Sequence, residues 1–479
     1  MNKKVRTRFA PSPTGFMHLG GLRTALYAYL YAKHHDGDFI LRIEDTDKER
    51  FVEGSLEVIY SSLLNSGLVY DEGPDVGGDF GPYIQTERKD IYLKYAEKLV
   101  ELGGAYYCFC SKERLESLTD DKGNRKYDKH CLSLSKEEVN KRIANGEPYV
   151  IRQNIPTEGT SHYDDLIFGS IDVDYAELED NVLIKSDGLP TYNFANVVDD
   201  HLMQISHVIR GTEYLSSTPK YNLMYDAFGW ERPVYIHLPT IMKDATRKLS
   251  KRYGDANFDD FVNKGYLEEA IINYVALLGW CPKNNAEKMT LAEMIDLFDL
   301  SGISKSPSIF DDVKLRWLNG EYLKAMSDEE FLQRAEPFFK KTALYGKFDL
   351  LKISKLIRTR IEIFKDIEEK TAFLVNHIDF DLNLFENAKQ KSSIELAKTL
   401  LPIIIKSVEG IEIFDNSNIF NTLSTVANEN AVKSKTLFYI MRIALTGLEV
   451  TPGGATEIAE ILGKEESLIR LNAVLNKLQ

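Results

Sequence analysis

The chain has 479 residues, 43% hydrophobic and 28% charged, a globular composition with room for about three domains at roughly 150 residues each. No apolar run approaches the ~20 residues of a membrane-spanning helix, and the start, MNKKVRTRFAPSPTG, lacks the apolar stretch of a secretory signal, so a cytoplasmic protein without membrane contact is expected. The formal charge of −14 excludes a general nucleic-acid coat, which needs Lys and Arg against phosphates, but leaves room for a specific RNA met through local basic patches.

Residues 5–10 read as a short strand, 11–15 as a Pro/Gly loop, and the stretch from Gly20 (GGLRTALYAYLYAKHH) as a helix by its periodicity. Residues 38–44 (DFILRIE) read as a second strand, closed by the polar turn 45–47. Strand, loop, helix, strand is the opening of a parallel α/β sheet. Residues 51–66 follow as an amphipathic helix. From 106 to 175 the pattern turns irregular, with a short strand at 149–155, and reads as an insertion that splits the sheet. The α/β rhythm returns at 181–185, 205–210, the helix 218–228 and 234–238. After Asp255 the chain turns almost wholly helical, and beyond Gly320 no alternating strand is found. The expected fold is α/β, a Rossmann-type parallel sheet with an α+β insertion, followed by an all-α C-terminal half. From Glu321 to Gln479 the formal charge is only −2, so most of the −14 lies earlier. That half also holds a basic stretch, Lys340, Lys341, Lys347, Lys352, Lys355, Arg358 and Arg360, in which Lys352, Lys355 and Arg358 share one helix face.

Two motifs suggest phosphate chemistry. In PSPTGFMHLGG (11–21) a strand ends, a loop follows and His-Leu-Gly-Gly opens a helix, whose free N–H groups and dipole suit phosphate oxygens. Glycines there allow close approach, and His18 can donate to charge developing on a phosphate. In KLSKR (248–252) two lysines flank a serine in a polar loop, placing ammonium groups where a triphosphate's charge grows. Either motif alone reads more readily as a structural helix start or a solvated basic loop.

Together the two resemble the paired signatures of class I aminoacyl-tRNA synthetases. RFAPSPTGFMHLGGLRTALYAYLYA (8–32), LRIEDTDKER (41–50), YDEGPDVGG…GPYIQTER (70–88), LPTYNFANVVDDHLM (189–203) and VIRGTEYLSSTP (208–219) resemble the glutamyl branch. The likeness runs on through LRWLNGEYL (315–323) and reappears near ALTGLEVTPG (444–453). The resemblance implies that L-glutamate is activated by ATP to a glutamyl-adenylate and passed to the ribose 2′-hydroxyl of the terminal adenosine of tRNA-Glu. It assigns Arg8 and Arg210 to the side-chain carboxylate with Tyr192 donating a hydroxyl, Glu44 to the α-ammonium, and Ala10, Ser12 and Asn196 to the pocket wall. It places ATP against Pro11, Ser12, His18, Gly20, Gly21, Glu213, Lys248, Leu249, Ser250, Lys251 and Arg252, with His18, Lys248 and Lys251 catalytic and Mg2+ carried by phosphates and water. Guanidinium forks suit carboxylates, and glutamine would strand a buried arginine without its anion.

Cys108, Cys110 and Cys131 lie within 24 residues, a spacing that suits zinc better than a cytosolic disulfide. The resemblance implies one structural Zn2+ per chain here, with Tyr127, His130 or water as fourth ligand. The alternative is a knuckle of reduced thiols. Ser133 stands where some relatives carry a histidine. Cys281 reads as a plain buried thiol, and His34, His35, His201 and His237 as structural. The helical half is read as the anticodon-binding region of bacterial glutamyl enzymes, with Arg358 and Arg360 as candidate base contacts.

The expected division is 1–90 with 195–240 as catalytic domain, 91–194 as the insertion that binds the tRNA acceptor end, and 241–322 as a stem-contact domain carrying KLSKR. Residues 323–375 and 376–479 are then helical anticodon-binding domains. A monomer is the family default. Rival functions are glutamylation of a modified tRNA base, glutaminyl specificity, a small-molecule nucleotidyltransferase and a non-catalytic RNA-binding protein. The long tail, the arginine pair and the intact His18, Glu44, Lys248 and Lys251 speak against them. Whether tRNA-Gln is also charged is not legible.

Overall fold

The computed structural model describes residues 4–47, 52–118, 127–249, 257–376 and 379–479. The chain forms two compact units, Met1–Phe261 with Ile271–Asp311, and Val262–Ala270 with Asp312–Gln479.

The first unit opens as strand β1 (Arg6–Phe9), helix α1 (Leu19–His34) and strand β2 (Asp38–Leu41), with β1 and β2 parallel in the register Arg6↔Asp38 to Phe9↔Leu41. Helix α1 is apolar almost all round, and Leu19, Leu22, Ala25, Leu26, Ala28 and Leu30 are buried, as befits a helix packed on both sides. β2 ends at Leu41, three residues short of the strand expected to reach Glu44. Its backbone still bonds to the chain after β1, Arg42 N–H to Phe9 O at 3.0 Å and Glu44 N–H to Pro11 O at 3.0 Å, so Glu44 is held beside the first motif.

Helices α2 (Ser55–Asn65) and α3 (Lys89–Glu101) lead to strand β3 (Ala105–Cys108), short helices α4 (Lys112–Glu116) and α5 (Lys136–Ala144), and strands β4 (Val150–Gln153), β5 (Thr160–Asp165), β6 (Gly169–Asp174) and β7 (Val182–Ile184). Then come α6 (Tyr192–Leu202), β8 (His207–Gly211), α7 (Thr218–Phe228), β9 (Val234–Leu238) and β10 (Ile241–Met242). β3, β4 and β7 make an antiparallel sheet of their own. β8 and β9 are parallel, and Ser206 joins them to β1 by its N–H to Arg6 O at 3.0 Å and its Oγ to Arg6 N–H at 2.8 Å. The hairpin β5–β6, inside the stretch read as irregular, extends the parallel sheet instead, with β5 alongside β9 at Asp165↔Tyr235. Burial alternates strictly along β5 (TSHYDD), Ser161, Tyr163 and Asp165 facing in, which is the pattern of a half-covered strand. Helices α8 (Phe258–Asn263), α9 (Glu268–Leu277) and α10 (Leu291–Leu297) and strand β11 (Ser308–Ile309) follow.

The second unit is helical throughout its described residues, from α11 (Asp312–Ala325), α12 (Asp328–Phe339), α13 (Leu350–Ile357) and α14 (Asp366–Val375) to α15 (Ile394–Glu409), α16 (Asn416–Glu429), α17 (Ser434–Thr446) and α18 (Ala455–Leu478). Its continuous apolar core includes Phe331, Ile353, Leu401, Ile440, Ile458 and Leu471. α18 breaks at Gly463, where φ of 80° demands a residue without Cβ.

Candidate active site

A cavity of about 940 Å³ opens where β1, β2 and β8 end, and its walls include Arg8, Ala10, Ser12, Gly21, Glu44, Tyr192, Arg210 and Glu213. Thr46, Asp47, Lys185, Asp187 and Tyr214 add further polar groups to its lining. Six of the seven residues expected around glutamate therefore share one cavity. The seventh, Asn196, lies one turn along α6, buried, with its Nδ2 donating to Tyr192 O at 2.6 Å, outside the cavity lining.

Beneath the cavity lies a buried charge network. Arg8 forks onto Asp200, Nε to Oδ1 at 3.0 Å and Nη2 to Oδ2 at 3.3 Å. Arg42, fully buried, donates to Asp200 Oδ1 at 2.8 Å and to Glu44 Oε1 at 3.2 Å, while Arg88 donates to Asp199 Oδ1 at 2.7 Å. Burial alone would raise Asp200, but Arg8 and Arg42 hold it below the usual carboxylate range. At Glu44 burial wins over Arg42 and Arg8, and its pKa is pushed up to about 7. Sequence reasoning missed Arg42, Asp199 and Asp200. The signal was the DD pair closing NFANVVDD, an odd place for two acids on an otherwise buried helix face.

Arg210 is held differently. Its Nη2 donates to Thr218 Oγ1 at 2.7 Å and its Nε to His237 Nε2 at 3.1 Å. The rings of Tyr214, Tyr221 and Tyr235 lie 4.8–5.6 Å from its guanidinium carbon. Among the described residues no carboxylate oxygen comes within 4.0 Å of it. His237 in turn contacts Asp165 Oδ2 through Nδ1 at 2.7 Å. Burial lowers the His237 pKa, so the ring is neutral at pH 7.

The first motif opens a helix, as expected. His18 is the N-cap of α1, its Nδ1 accepting from Gly20 N–H at 3.1 Å, and a Cβ on Gly20 would sit 3.3 Å from that nitrogen. The second motif begins in a hairpin. Lys248 is exposed and faces Met242 in a backbone bridge, and Leu249 N–H bonds Ile241 O at 3.1 Å. Ser250, Lys251 and Arg252 lie outside the described residues. Downstream, Asn257 forms a backbone bridge with His18, and Phe258 N–H bonds Met17 O at 3.1 Å, so the chain leaving KLSKR returns to the first motif. Pro11, His18, Gly20, Lys248 and Leu249 are outside the cavity lining, and Glu213 is within it. Gly211 leaves room for the Glu213 carboxylate, which a Cβ there would meet at 2.1 Å.

The sulphurs of Cys108, Cys110 and Cys131 lie within 4.8 Å of one another, with Tyr127 Oη 3.3 Å from Cys108 Sγ and 3.4 Å from Cys110 Sγ. Burial raises the Cys110 thiol to about 11, whereas hydrogen bonds from Tyr127 and Arg152 overcome burial and lower that of Cys108. Tetrahedral Zn–S bonds of about 2.3 Å put sulphurs some 3.8 Å apart, and Cys110 and Cys131 are 3.6 Å apart, so the donor set fits zinc. His130 is exposed and outside this group. Cys281 corrects an expectation. It is exposed, because the neighbouring Trp280 takes the buried position in that turn. In the helical unit Arg358 is engaged by Asp328 Oδ1 at 2.9 Å and Lys324 O at 2.5 Å, and Lys352 by Glu460 at 3.0 Å, while Arg360 is exposed.

Residues 4–317 match the family described as tRNA synthetases class I (E and Q), catalytic domain, and residues 330–475 match the anticodon binding domain. A glutamate–tRNA ligase of Clostridium acetobutylicum is 55% identical over 480 residues, covering 99% of each chain, and one of Clostridium botulinum is 54% identical over 483 residues, covering 100% of this chain and 99% of that one. The solved glutamate tRNA ligase of Elizabethkingia meningosepticum, in complex with its amino acid, superposes with a TM-score of 0.90 at 37% identity and full coverage of both chains. A likeness of this extent across both the catalytic and the anticodon-binding regions shows that the chain belongs to the glutamate–tRNA ligase family of class I aminoacyl-tRNA synthetases.

Proposed function

We propose that this chain activates L-glutamate with ATP, releasing pyrophosphate, and transfers the glutamyl group to the terminal adenosine of tRNA-Glu, using the cavity between β1, β2 and β8. The carrying observation is a buried guanidinium, Arg210, that lines the cavity without a carboxylate of its own, in the same cavity as the carboxylate of Glu44. A zwitterion with a second carboxylate supplies the anion that Arg210 lacks and a second cation for Glu44 beside Arg42. Its γ-carboxylate answers Arg210 and its ammonium answers Glu44, with Tyr192 donating its hydroxyl and Ala10 and Ser12 forming the wall. Arg8 adds positive potential from behind, although Asp200 already shares its charge. The substrate's own α-carboxylate then attacks the α-phosphate of ATP, so the protein supplies position and charge in place of a covalent nucleophile.

The helix start at His18, Gly20 and Gly21 faces phosphate oxygens, and Lys248 and Lys251 neutralise charge on the leaving pyrophosphate. Mg2+ enters with ATP, held by phosphates and water. Cys108, Cys110, Cys131 and Tyr127 would hold one structural Zn2+, fixing the turn that follows β3. Residues 91–194 bind the tRNA acceptor end, 241–322 contact its stem and the helical domains 323–375 and 376–479 read its anticodon through Arg358 and Arg360. The enzyme works as a cytoplasmic monomer. The test is incubation with radiolabelled glutamate, ATP and total tRNA. Acid-precipitable label released by mild base is the expected result. No product overturns the proposal, and label stable to base points to glutamylation of a modified base.

A further inference from the structure

Arg8, Arg42 and Arg88 are each met by a carboxylate, whereas Arg210 is met by an imidazole. We propose that Asp165 and His237 are positioning residues that fix the direction of Arg210 without neutralising it, and so set the preference for glutamate over its uncharged amide, glutamine. The inference rests on the proposed role of Arg210 as counter-ion of the γ-carboxylate.

A guanidinium has to be held by some of its N–H groups if the others are to present a fork. A carboxylate on Nε would hold it firmly but cancel its charge, and the site would lose its reason to prefer an anion. A neutral acceptor gives direction and leaves the charge. His237 can be that acceptor only if its proton sits on Nδ1, and Asp165 enforces this. The carboxylate accepts from four N–H groups, Ile167 N at 2.9 Å and Phe168 N at 2.8 Å on Oδ1, and His237 N at 3.0 Å and Nδ1 at 2.7 Å on Oδ2. Nε2 is thereby left as a lone pair 3.1 Å from Arg210 Nε. The pair is fully buried, and the charged groups acting on the ring are Asp165, Arg210 and Glu213. With Nη2 taken by Thr218, Nη1 remains to meet a ligand.

Two carboxamides separate the functions of the ring. In His237→Gln the side-chain oxygen reaches the place of Nε2 and still accepts from Arg210. In His237→Asn the side-chain amide reaches only the place of Nδ1, where its N–H donates to Asp165 as the ring does, and the acceptor for Arg210 is lost. Asp165→Asn acts at the far end. Backbone N–H groups face both of its oxygens, so its amide turns its N–H toward the ring, which alone can change tautomer, and Nε2–H then opposes Arg210. Loss of a hydrogen bond to a charged group corresponds to about 10–100-fold. His237→Asn and Asp165→Asn are expected to raise the KM for glutamate by about that factor and to narrow the glutamate-to-glutamine ratio of kcat/KM similarly, with the KM for ATP and for tRNA within about threefold. His237→Gln is expected to stay within about fivefold of wild type on every parameter. Equal effects of the Gln and Asn variants, or equal shifts in the KM for ATP and glutamate, overturn the inference, and the two carboxamides decide the matter if Asp165→Asn does not fold. A wild-type protein that charges no glutamate overturns the functional reading itself, which no pattern among the variants can imitate.

Discussion

Glu44 sets burial against charge, and burial wins, with a pKa of about 7. An ammonium is bound by the carboxylate form, so binding below pH 7 requires Glu44 first to lose a proton. Between pH 7 and pH 6 the ionised fraction falls from about one half to about one tenth, so the KM for glutamate is expected to rise about fivefold. Glutamate's own groups do not titrate in that window, and burial moves His237 down, away from pH 7. The KM measured against pH at saturating ATP and tRNA checks this, and a profile as flat as that of Glu44→Gln refutes it. At this scale the sequence carried part of the site. Arg8, Glu44, Tyr192 and Arg210 were assigned only because their motifs resemble a family, since a lone Arg reads equally well as a surface ion pair. His237 is the fourth residue of the strand VYIHL, among its four buried positions, a polar interruption of an apolar run that calls for a partner. The partner, Asp165, is 72 residues earlier in a stretch without clear periodicity, and no local pattern links them.

Among the elements, β2 and β9 were legible because they are short, mostly apolar runs, α1 because its apolar stretch is too long for a strand, and α7 because Pro219 opens it and Gly229 closes it. The hairpin β5–β6 was not, because TSHYDDLIFGSIDVD alternates among polar residues and its turn residues interrupt the pattern. The knuckle after β3 was visible in its cysteine spacing, and the position of Tyr127 close to two sulphurs supports a four-donor set. Purified protein analysed by atomic emission is expected to hold about one zinc per chain, and Cys110→Ser is expected to lower that content and the affinity for tRNA while leaving the KM for ATP unchanged. Metal-free wild type refutes it. α18 yields a different prediction. Arg470, nearly fully buried, donates through Nη1 to Phe373 O at 2.6 Å and Leu445 O at 2.9 Å and through Nη2 to Leu374 O at 2.9 Å, capping the last turns of α14 and α17 at once. Arg470→Leu strands those carbonyls, and urea unfolding followed by circular dichroism is expected to show a loss of about 2–4 kcal/mol. An unchanged midpoint would mean the helix ends find other partners.

At the scale of the whole molecule, the helical unit is not simply the C-terminal third of the chain. Val262–Ala270 belongs to it, and Leu267 and Ala270 are buried in the same core as Leu323 and Phe331. Periodicity alone placed the change from α/β to helix, but not this early visit of the chain, because nine residues are too few to carry a recognisable pattern of their own. Cutting the chain after Gly320 would therefore uncover Leu267 and Ala270 as well as remove any anticodon contact, and a rise in the KM for tRNA would mix two causes. A single exposed side chain separates them. Arg358 is tied to Asp328 and Lys324 O, so its loss also disturbs packing, but Arg360 is exposed. Stacking or edge contact with an unpaired base contributes about 1–3 kcal/mol, so Arg360→Ala is expected to raise the KM for tRNA about tenfold while the KM for glutamate and ATP and the melting temperature stay put. If the KM for tRNA does not move, Arg360 touches no base, and the anticodon is read from another face of the helical unit.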